Sequence, residues 1–271
     1  MDKKIGFVFP GQGSQYTNML SEHFQSSNKF NSVFEISKEI LGIDFRELIS
    51  EGTPDDLAAT QVTQPLLLTA NHALWKMTDL NPESVNLMAG HSLGEYSAYV
   101  AAETLNFEDA LRLVSLRAKY MQEAVKEGEG GIAAILGMQA EKLSSICNQI
   151  TKQGDLVSMA NLNSENQIVI SGTKSGVDKV IMLSKENGAK RAIPLAMSVP
   201  SHCKLMKPAS EKFTEEINKT EFKKPKTKVI QNFSVSHCDD IDEIKQNLIS
   251  QLYSPVRWSE TMEYFKSNKI N

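Results

Sequence analysis

The alternation of apolar runs with segments of helical spacing predicts an α/β protein. A short apolar run at residues 5–9 stops at Pro10-Gly11, which is typical of a buried strand that runs into a loop. A second run, at residues 85–89, is followed by Gly90-His91-Ser92-Leu93-Gly94 and then by an alanine-rich segment. Apolar positions at three- and four-residue steps predict helices at residues 30–49, 65–78, 95–102 and 107–125, the last with Asn106 as its N-cap.

The pattern changes at Gly128, where a glycine cluster opens a segment of shorter elements. Their order, β-α-β-β-α-β, is that of the split ferredoxin-like arrangement. The predicted strands are residues 132–136, 156–160, 167–171 and 190–195, and the predicted helices are residues 140–151 and 175–187. Beyond Pro200 the chain becomes helical again and ends in a helix at residues 261–266. We therefore predict a large domain formed by residues 1–127 and 198–271, which a subdomain at residues 128–197 interrupts.

Composition and charge narrow the class of protein. The 271 residues are 41% hydrophobic and 23% charged, which is typical of a globular chain and excludes disordered and fibrous proteins. A net charge of −4 argues against a basic surface for nucleic acid. The chain has 3 cysteines at unpatterned positions, which indicates reduced thiols rather than a disulfide framework. Because no apolar run suits a signal peptide or a membrane span, we expect a cytoplasmic protein without nucleic acid or membrane as partner.

The pentapeptide Gly90-His91-Ser92-Leu93-Gly94 matches G-x-S-x-G, the turn that presents a nucleophilic serine between a strand and a helix. Its two glycines permit a strained backbone that lifts the Ser92 hydroxyl clear of the chain. The N-terminus of the following helix would direct the Leu93 N–H at a reacting carbonyl, as one donor of an oxyanion hole. The alternative is a structural turn in which Ser92 only caps that helix.

A catalytic serine needs a base, and the chain has 5 histidines. Three are poorly placed, either beside the serine or within predicted helices: His91, His23 and His72. The other two, His202 and His237, lie in predicted loops, where functional groups are usually presented. His202 is the better candidate because it stands where a strand-like run ends and a helix starts.

Two dipeptides, His202-Cys203 and His237-Cys238, raise the question of a zinc site. Adjacent residues seldom bind one tetrahedral metal, and the chain has none of the usual C-x₂₋₄-C or H-x₃₋₅-H intervals. We therefore predict no metal.

The loop Pro10-Gly11-Gln12-Gly13 after the first strand has only a partial likeness to a nucleotide cradle. The third glycine of G-x-G-x-x-G would fall at Tyr16, and Gln12-Gly13 stand where a P-loop needs Lys followed by Ser or Thr. What remains is a glycine-framed Gln12, which either approaches a ligand or lies in a plain turn.

Arg117 lies on the apolar side of the helix predicted at residues 107–125. It follows Val114 by three positions and precedes Met121 by four, so it points inward, whereas Arg112 belongs to the polar face. A guanidinium is costly to bury alone and therefore needs a carboxylate partner. The residues themselves leave open whether that carboxylate comes from the protein, as an ion pair, or from a ligand.

Several short strings, which stand in one chain and in a fixed order, carry a family resemblance. They are Phe9-Pro10-Gly11-Gln12-Gly13-Ser14-Gln15, Gly90-His91-Ser92-Leu93-Gly94-Glu95-Tyr96-Ser97, Arg117, Val199-Pro200-Ser201-His202-Cys203 and Gln251-Leu252-Tyr253-Ser254-Pro255-Val256. Together they closely resemble bacterial malonyl-CoA:acyl carrier protein transacylases. The resemblance implies an α/β hydrolase-like large domain with a parallel sheet, interrupted by a small ferredoxin-like subdomain, which agrees with the break at Gly128.

The resemblance also implies roles for particular residues. Ser92 corresponds to the nucleophile, His202 to its general base, and Gln251 to the residue whose main-chain carbonyl holds the imidazole. Gln12 and Leu93 match the oxyanion-hole positions. Arg117 matches the arginine that binds the free carboxylate of the acyl group, and the substrate-binding site is expected to include Met121, His91 and Ser201 as well.

The implied reaction is ping-pong transfer of a malonyl group from malonyl-CoA to the phosphopantetheine thiol of acyl carrier protein, for fatty acid synthesis, through an ester on Ser92. The resemblance implies no cofactor and no metal, and a monomer. Because carrier proteins are typically acidic, the lysine-rich residues 204–228 are a candidate docking surface. The alternative is an ordinary solvated helix face.

Other functions are compatible with these residues. The same motifs suit a free-standing acyltransferase or acyl hydrolase of a polyketide pathway, with malonyl or methylmalonyl as the acyl group. A general esterase or thioesterase suits them less, because an inward Arg117 has no use for neutral acyl chains. A third alternative is a truncated, non-catalytic interaction protein, since the family normally continues past Val256-Arg257-Trp258 into a Gly-Pro-Gly segment that this sequence lacks.

Overall fold

The structure, a computed structural model, describes residues 4–195 and 199–270 and contains two β-sheets. The described strands are β1 (Gly6–Phe9), β2 (Leu87–Gly90), β3 (Gly130–Leu136), β4 (Val157–Ser164), β5 (Gln167–Thr173), β6 (Arg191–Pro194) and β7 (Val229–Ile230). The first sheet is parallel, with the order β1-β2-β7. The second is antiparallel, with the order β4-β5-β3-β6. The prediction of an α/β protein with a parallel sheet is therefore confirmed.

Helices cover most of the remaining chain. They are α1 (Ser21–Ser26), α2 (Asn28–Leu41), α3 (Phe45–Glu51), α4 (Pro54–Ala58), α5 (Thr60–Met77), α6 (Leu93–Ala101), α7 (Phe107–Glu123), α8 (Ala140–Lys152), α9 (Lys174–Glu186), α10 (Lys207–Lys219), α11 (Ile241–Gln251) and α12 (Trp258–Ser267). Short 3₁₀ turns occur at Pro82–Ser84 and Lys204–Met206. Within the described residues, no helix is both long and apolar enough to cross a membrane.

The parallel sheet brings two loops together at one edge. Phe9 and Gly90, the last residues of β1 and β2, are paired in register. Because carboxyl ends of parallel strands lie at the same edge, the loop of Gln12 and the turn of Ser92 leave the sheet side by side. All of β2 is buried, and α6 packs against both β1 and β2. The N-terminus of α6 is thereby fixed at this edge.

The helix predicted at residues 30–49 is wrong in its extent, because the chain breaks at Gly42. Gly42 takes a left-handed conformation (φ 69°) as the C-cap of α2, and such a conformation suits glycine. Asp44 then caps α3, since its side chain accepts a hydrogen bond from the Glu47 N–H. The helix predicted at 65–78 begins earlier, at Thr60, and accommodates Pro65 in its first turns.

The region after Pro200 also differs from the prediction. Only part of the lysine-rich segment is helical, because α10 ends at Lys219 and residues 221–225 form no helix. The strand β7 was not predicted, because a run of two residues is too short to show a strand pattern. It is nevertheless buried and pairs with the central strand β2.

The second sheet has the predicted β-α-β-β-α-β order of elements, from β3 to β6, with α8 and α9 packed together beside it. Its own apolar cluster is separate from that of the parallel sheet. Main-chain hydrogen bonds join β4 to the segment between α11 and α12, since Leu162 N donates to Val256 O and Val256 N to Ala160 O. The predicted boundary at residues 197 and 198 lies outside the described residues.

Candidate active site

The turn at Ser92 has the strained geometry that a nucleophile elbow requires. Ser92 has φ 52° and ψ −105°, a conformation that non-glycine residues seldom adopt. A Cβ atom at Gly90 would lie 1.8 Å from the Gly94 carbonyl carbon, and one at Gly94 would lie 2.2 Å from the Phe9 oxygen. Only glycine therefore fits at either position. The Ser92 side chain does not cap α6, so the alternative of a capping serine is wrong.

Asn232, which sequence reasoning missed, holds this turn in place. The Ser92 N–H donates to Asn232 Oδ1 over 2.7 Å, and Asn232 Nδ2 donates to the Gly90 carbonyl over 2.7 Å. Asn232 is fully buried two residues after β7. The only signal in the sequence was a polar pair, Gln231-Asn232, directly after a short apolar run, and such pairs are common in loops.

His202 lies against the serine. Its Nε2 atom is 2.7 Å from Ser92 Oγ, and its Nδ1 atom is 2.8 Å from the main-chain oxygen of Gln251. With Nδ1–H donating to that carbonyl, Nε2 is free to accept the serine proton. Burial, followed by the nearby charge of Arg117, lowers the pKa of His202 to about 3, so the imidazole is neutral at ordinary pH.

The two predicted oxyanion donors, Leu93 and Gln12, line the cavity beside Ser92. Leu93 is the first residue of α6, and its N–H donates to no acceptor within the described parts of the chain. Gln12 lines the same cavity, and its side chain donates to Thr60 Oγ1 over 3.2 Å. The loop and the turn are in close contact, because a Cβ atom at Gly11 would lie 2.2 Å from the His91 oxygen.

Arg117 is buried beside Ser92, with 1% of its surface exposed. Its guanidinium donates to Gln64 Oε1 over 2.5 Å, to Gln251 Oε1 over 3.0 Å and to Ser92 Oγ over 3.2 Å. No ion pair to a carboxylate forms within residues 4–195 and 199–270, so every described acceptor is a neutral oxygen. Burial lowers the pKa of Arg117 from its usual range.

A buried carboxylate, Glu95, lies near Arg117. The sequence did not predict a role for it. Glu95, in the first turn of α6, is 1% exposed and accepts a hydrogen bond from Gln251 Nε2 over 2.7 Å. Burial raises the pKa of Glu95 to about 7. The Gln251 side chain thus lies between Glu95 and Arg117, while its main chain holds His202.

The reactive groups open into a cavity of about 340 Å³ between the two sheets. The residues that line it include all of the predicted site residues except Gln251: Gln12, His91, Ser92, Leu93, Arg117, Met121, Ser201 and His202. The second sheet contributes residues of β3, β4 and β5. His91 connects the two sides, because its Nε2 atom is 2.9 Å from Asn163 Oδ1 on β4.

The other histidines lie elsewhere. His23 packs against Phe30, and His72 stacks on Phe107 with ring centroids 4.4 Å apart. The loop candidate His237 lies 3.4 Å from the Tyr264 hydroxyl, outside the cavity lining. Among the residues that the structure describes, no group of three or more His, Cys, Asp or Glu side chains is arranged to hold a metal ion.

The strained serine, its histidine and the buried arginine define an acyl-transferring serine site, and comparison with known proteins gives the family. Residues 6–269 match the acyl transferase domain family, and the chain belongs to that family. Its relatives include the malonyl CoA-acyl carrier protein transacylases of Haemophilus influenzae and Bacillus subtilis. The Haemophilus influenzae protein is 45% identical, and the match covers 96% of this chain and 84% of that protein. The Bacillus subtilis protein is 46% identical, and the match covers 96% of this chain and 82% of that protein.

Solved structures of similar proteins have the same fold. The malonyl CoA-acyl carrier protein transacylase from Coxiella burnetii is 42% identical, with a TM-score of 0.95 over 99% of this chain and 85% of its own. A malonyl-transacylase, solved in complex with the acyl carrier protein of a type II polyketide synthase, is 42% identical with a TM-score of 0.96. The match covers 99% of this chain and 87% of that one.

Proposed function

We propose that the protein transfers the malonyl group of malonyl-CoA to the phosphopantetheine thiol of acyl carrier protein, through an ester on Ser92. The observation that carries this proposal is the position of Arg117. Its guanidinium is buried 3.2 Å from the nucleophilic hydroxyl, and no protein carboxylate is paired with it in the described residues. An acyl group with a distal carboxylate would supply that partner.

The first half of the reaction needs Ser92, His202 and the oxyanion donors. The Ser92 hydroxyl gives its proton to His202 Nε2 as Oγ attacks the thioester carbonyl carbon. The carbonyl oxygen becomes an oxyanion, which the Leu93 and Gln12 N–H groups stabilise. When the C–S bond breaks, His202 returns the proton to the CoA sulfur, and the malonyl ester remains on Ser92.

The second half repeats these steps with the carrier thiol as nucleophile. His202 accepts the thiol proton, the sulfur attacks the ester carbonyl, and the proton returns to Ser92 Oγ as the ester bond breaks. The Gln251 carbonyl takes the place of the acid in a Ser-His-Asp triad: it fixes the tautomer of His202 without adding a charge.

Arg117 supplies the selectivity. A guanidinium can form two parallel hydrogen bonds with a carboxylate, and such charge-assisted pairs are stronger than neutral ones. A malonyl group would pair with Arg117, whereas an acetyl group leaves the buried cation with amide and hydroxyl oxygens only. We propose Met121, His91 and Ser201 as further substrate contacts, because they line the same cavity. The reaction needs no cofactor.

We further propose that the chain forms two structural units. We assign residues 1–127 and 198–271 to an α/β hydrolase-like domain, which supplies the elbow, the base and Arg117. We assign residues 128–197 to a ferredoxin-like subdomain that forms the opposite wall of the cavity. The strand order β4-β5-β3-β6 and the separate apolar cluster support this division. The free thiols of Cys147, Cys203 and Cys238 are consistent with a cytoplasmic location.

Mass spectrometry of the intact protein after incubation with malonyl-CoA tests the proposed function. We expect a malonyl adduct on the wild-type protein that is absent from S92A and that moves to the thiol of holo acyl carrier protein. Release of the acyl group as free malonate, without transfer to the carrier, would instead identify an acyl hydrolase. The absence of any adduct on a folded wild-type protein would contradict the proposal.

A further inference from the structure

Glu95 is a buried carboxylate that the proposed reaction does not use. It is only 1% exposed and lies three residues after Ser92. One oxygen, Oε2, accepts both hydrogen bonds that the carboxylate makes: one from Gln251 Nε2 over 2.7 Å and one from the Asn232 N–H over 3.0 Å. The other oxygen, Oε1, is buried and has no partner within the described residues. Because buried polar atoms are normally hydrogen-bonded, the unpartnered oxygen of this carboxylate needs an explanation.

The Gln251 side chain separates this carboxylate from Arg117. Gln251 Nε2 donates to Glu95 and, over 3.1 Å, to the Ser92 carbonyl. These two acceptors fix the orientation of the amide, because a flipped amide would place its oxygen against two other oxygens. Gln251 Oε1 is therefore turned to Arg117, which donates to it over 3.0 Å.

We propose that Glu95 is a positioning residue that determines specificity for the acyl carboxylate. Through the Gln251 amide it turns a neutral oxygen, and not a carboxylate, towards Arg117. Its own negative charge balances the guanidinium across that amide until a substrate carboxylate arrives. This inference rests on the proposed function, in which Arg117 binds the carboxylate of the malonyl group.

The physical reason is competition between two anions for one cation. A carboxylate paired directly with Arg117 would occupy the place of the substrate. A carboxylate one amide away stabilises the empty site, but it repels the incoming acyl carboxylate. Binding of a malonyl group therefore favours the neutral form of Glu95, which takes its proton from the solvent.

The geometry allows this protonation without rearrangement. The proton can reside on Oε1, which has no partner, while Oε2 keeps its hydrogen bonds from Gln251 and Asn232. Burial raises the pKa of Glu95 to about 7, against the opposing effects of Asn232, Gln251 and Arg117. Both forms of the carboxyl group are thus accessible near neutral pH.

Among the described groups that face Glu95, we expect only its own carboxyl group to change its charge near neutral pH. The charged group is Arg117, from α7, and the segment after β7 and the end of α11 present the uncharged Asn232 and Gln251. Tyr96 and Tyr99, on the same helix, have pKa values raised by burial and stay neutral. In the site itself, burial lowers the pKa of both His91 and His202, and His202, with a pKa of about 3, is uncharged in this range.

The variant E95Q tests the role of the charge, because its amide oxygen can replace Oε2 and its NH₂ group can replace the unpartnered Oε1. The measurement is the KM for malonyl-CoA and for acetyl-CoA between about pH 6 and pH 8. For the wild type we expect the KM for malonyl-CoA to rise about fivefold over this range, because the ionised carboxylate opposes binding. For acetyl-CoA, which carries the same CoA phosphates, we expect no such rise.

In E95Q we expect the KM for malonyl-CoA to stay at the low value across the range. A second variant, E95A, removes the acceptor and releases the Gln251 amide. We expect its kcat/KM to fall at least about tenfold more for malonyl-CoA than for acetyl-CoA. Circular dichroism and thermal melting of each variant establish that it is folded, and E95Q alone decides the role of the charge if E95A does not fold.

Two results would overturn the inference: a rise of KM with pH in E95Q equal to that of the wild type, or equal losses for both acyl groups in a folded E95A. Both differ from a failure of the proposed function, because the wild-type protein must first form a malonyl adduct on Ser92. If it forms none, the assignment of the reaction is at fault and not that of Glu95.

Discussion

The Ser92 hydroxyl oxygen lies 2.7 Å from His202 Nε2, although 110 positions of the chain separate the two residues. Both have a positive φ, 52° for Ser92 and 61° for His202. Two strained residues are therefore held against each other by the parts of the fold that surround them. Such strain is retained where the surrounding structure fixes the backbone, and it is common at catalytic sites.

The low pKa of His202 predicts an active base at acidic pH. Because burial lowers this pKa to about 3, His202 should be neutral at pH 5, where a histidine with an ordinary pKa would be mostly charged. We expect the rate of acylation of Ser92 by acetyl-CoA to be nearly constant from about pH 8 to pH 5 in single-turnover experiments. A loss of rate with a midpoint near the ordinary histidine pKa of about 6.5 would contradict this prediction.

The same lowered pKa means that His202 reduces the stability of the folded protein at acidic pH. As the pH falls below the ordinary value of about 6.5, the unfolded chain takes up a proton that the folded chain binds only near pH 3. Stability is thus full above that ordinary value and falls as the pH is lowered towards 3. The free energy of unfolding of the wild type should therefore fall faster over this range than that of H202A, by at most about 1.4 kcal/mol per pH unit.

Replacing Arg117 should separate the two acyl groups. We expect R117A to lower kcat/KM for malonyl-CoA by about a hundredfold or more and to affect acetyl-CoA much less, because only the malonyl carboxylate loses a partner. R112A is the matched control, since Arg112 lies on the exposed face of α7 in ion pairs with Glu108 and Asp109. Equal losses for both substrates would exclude Arg117 as the carboxylate site.

Replacing Asn232 should impair the reaction with both acyl groups alike. N232A leaves the Ser92 N–H and the Gly90 carbonyl without their partners, and the strained turn then relaxes. We expect a loss of about 1–3 kcal/mol in the free energy of unfolding and a similar fall in kcat/KM for malonyl-CoA and acetyl-CoA. N148A, at an exposed position on α8, serves as the control. If N232A is as stable and active as N148A, Asn232 does not hold the elbow.

The lysines beyond α10 should contribute little to carrier docking. Lys224 and Lys226 are paired with Asp239 and Glu103, respectively. The Lys226 N–H donates to Ala102 O, just after the last residue of α6. Ser92 stands at the other end of this helix of 9 residues, which is about 13 Å long, so Lys226 lies far from Ser92. We expect the double variant K224E/K226E to change the rate of transfer to carrier protein at low salt by less than about twofold.

The two lysines that follow His202 offer the contrast. Lys204 and Lys207 are exposed, and neither forms an ion pair with a residue in the described ranges. We expect K204E/K207E to raise the KM for carrier protein several-fold at low salt, an effect that higher salt removes. The opposite ranking of the two double variants would place the docking surface at the far end of α6.

Local patterns in the sequence determined the elements whose cause is itself local. The spacing of apolar residues on α7 predicted an inward Arg117, which is buried, and Asn106 caps that helix by accepting a hydrogen bond from the Asp109 N–H. The glycines of the elbow predicted a strained Ser92. The contact that excludes a side chain at Gly94 is with the distant Phe9, but the one at Gly90 is with Gly94, four residues further on, and is local. The order of elements in the second sheet could be predicted for the same reason: each element has its own periodicity.

Tertiary structure alone decided how distant residues meet. Asn232 and Gln251 bond to Glu95 across 137 and 156 positions, and nothing near any of these residues in sequence indicates a partner. The same holds for β7, which is a strand only because β2 pairs with it. The sequence could therefore indicate a candidate nucleophile, a candidate base and a buried cation by their local settings. Whether the hydrogen-bond partner of Arg117 is a carboxylate or an amide depends on the tertiary fold. A buried charge can pair only with the groups that the fold places within hydrogen-bond distance.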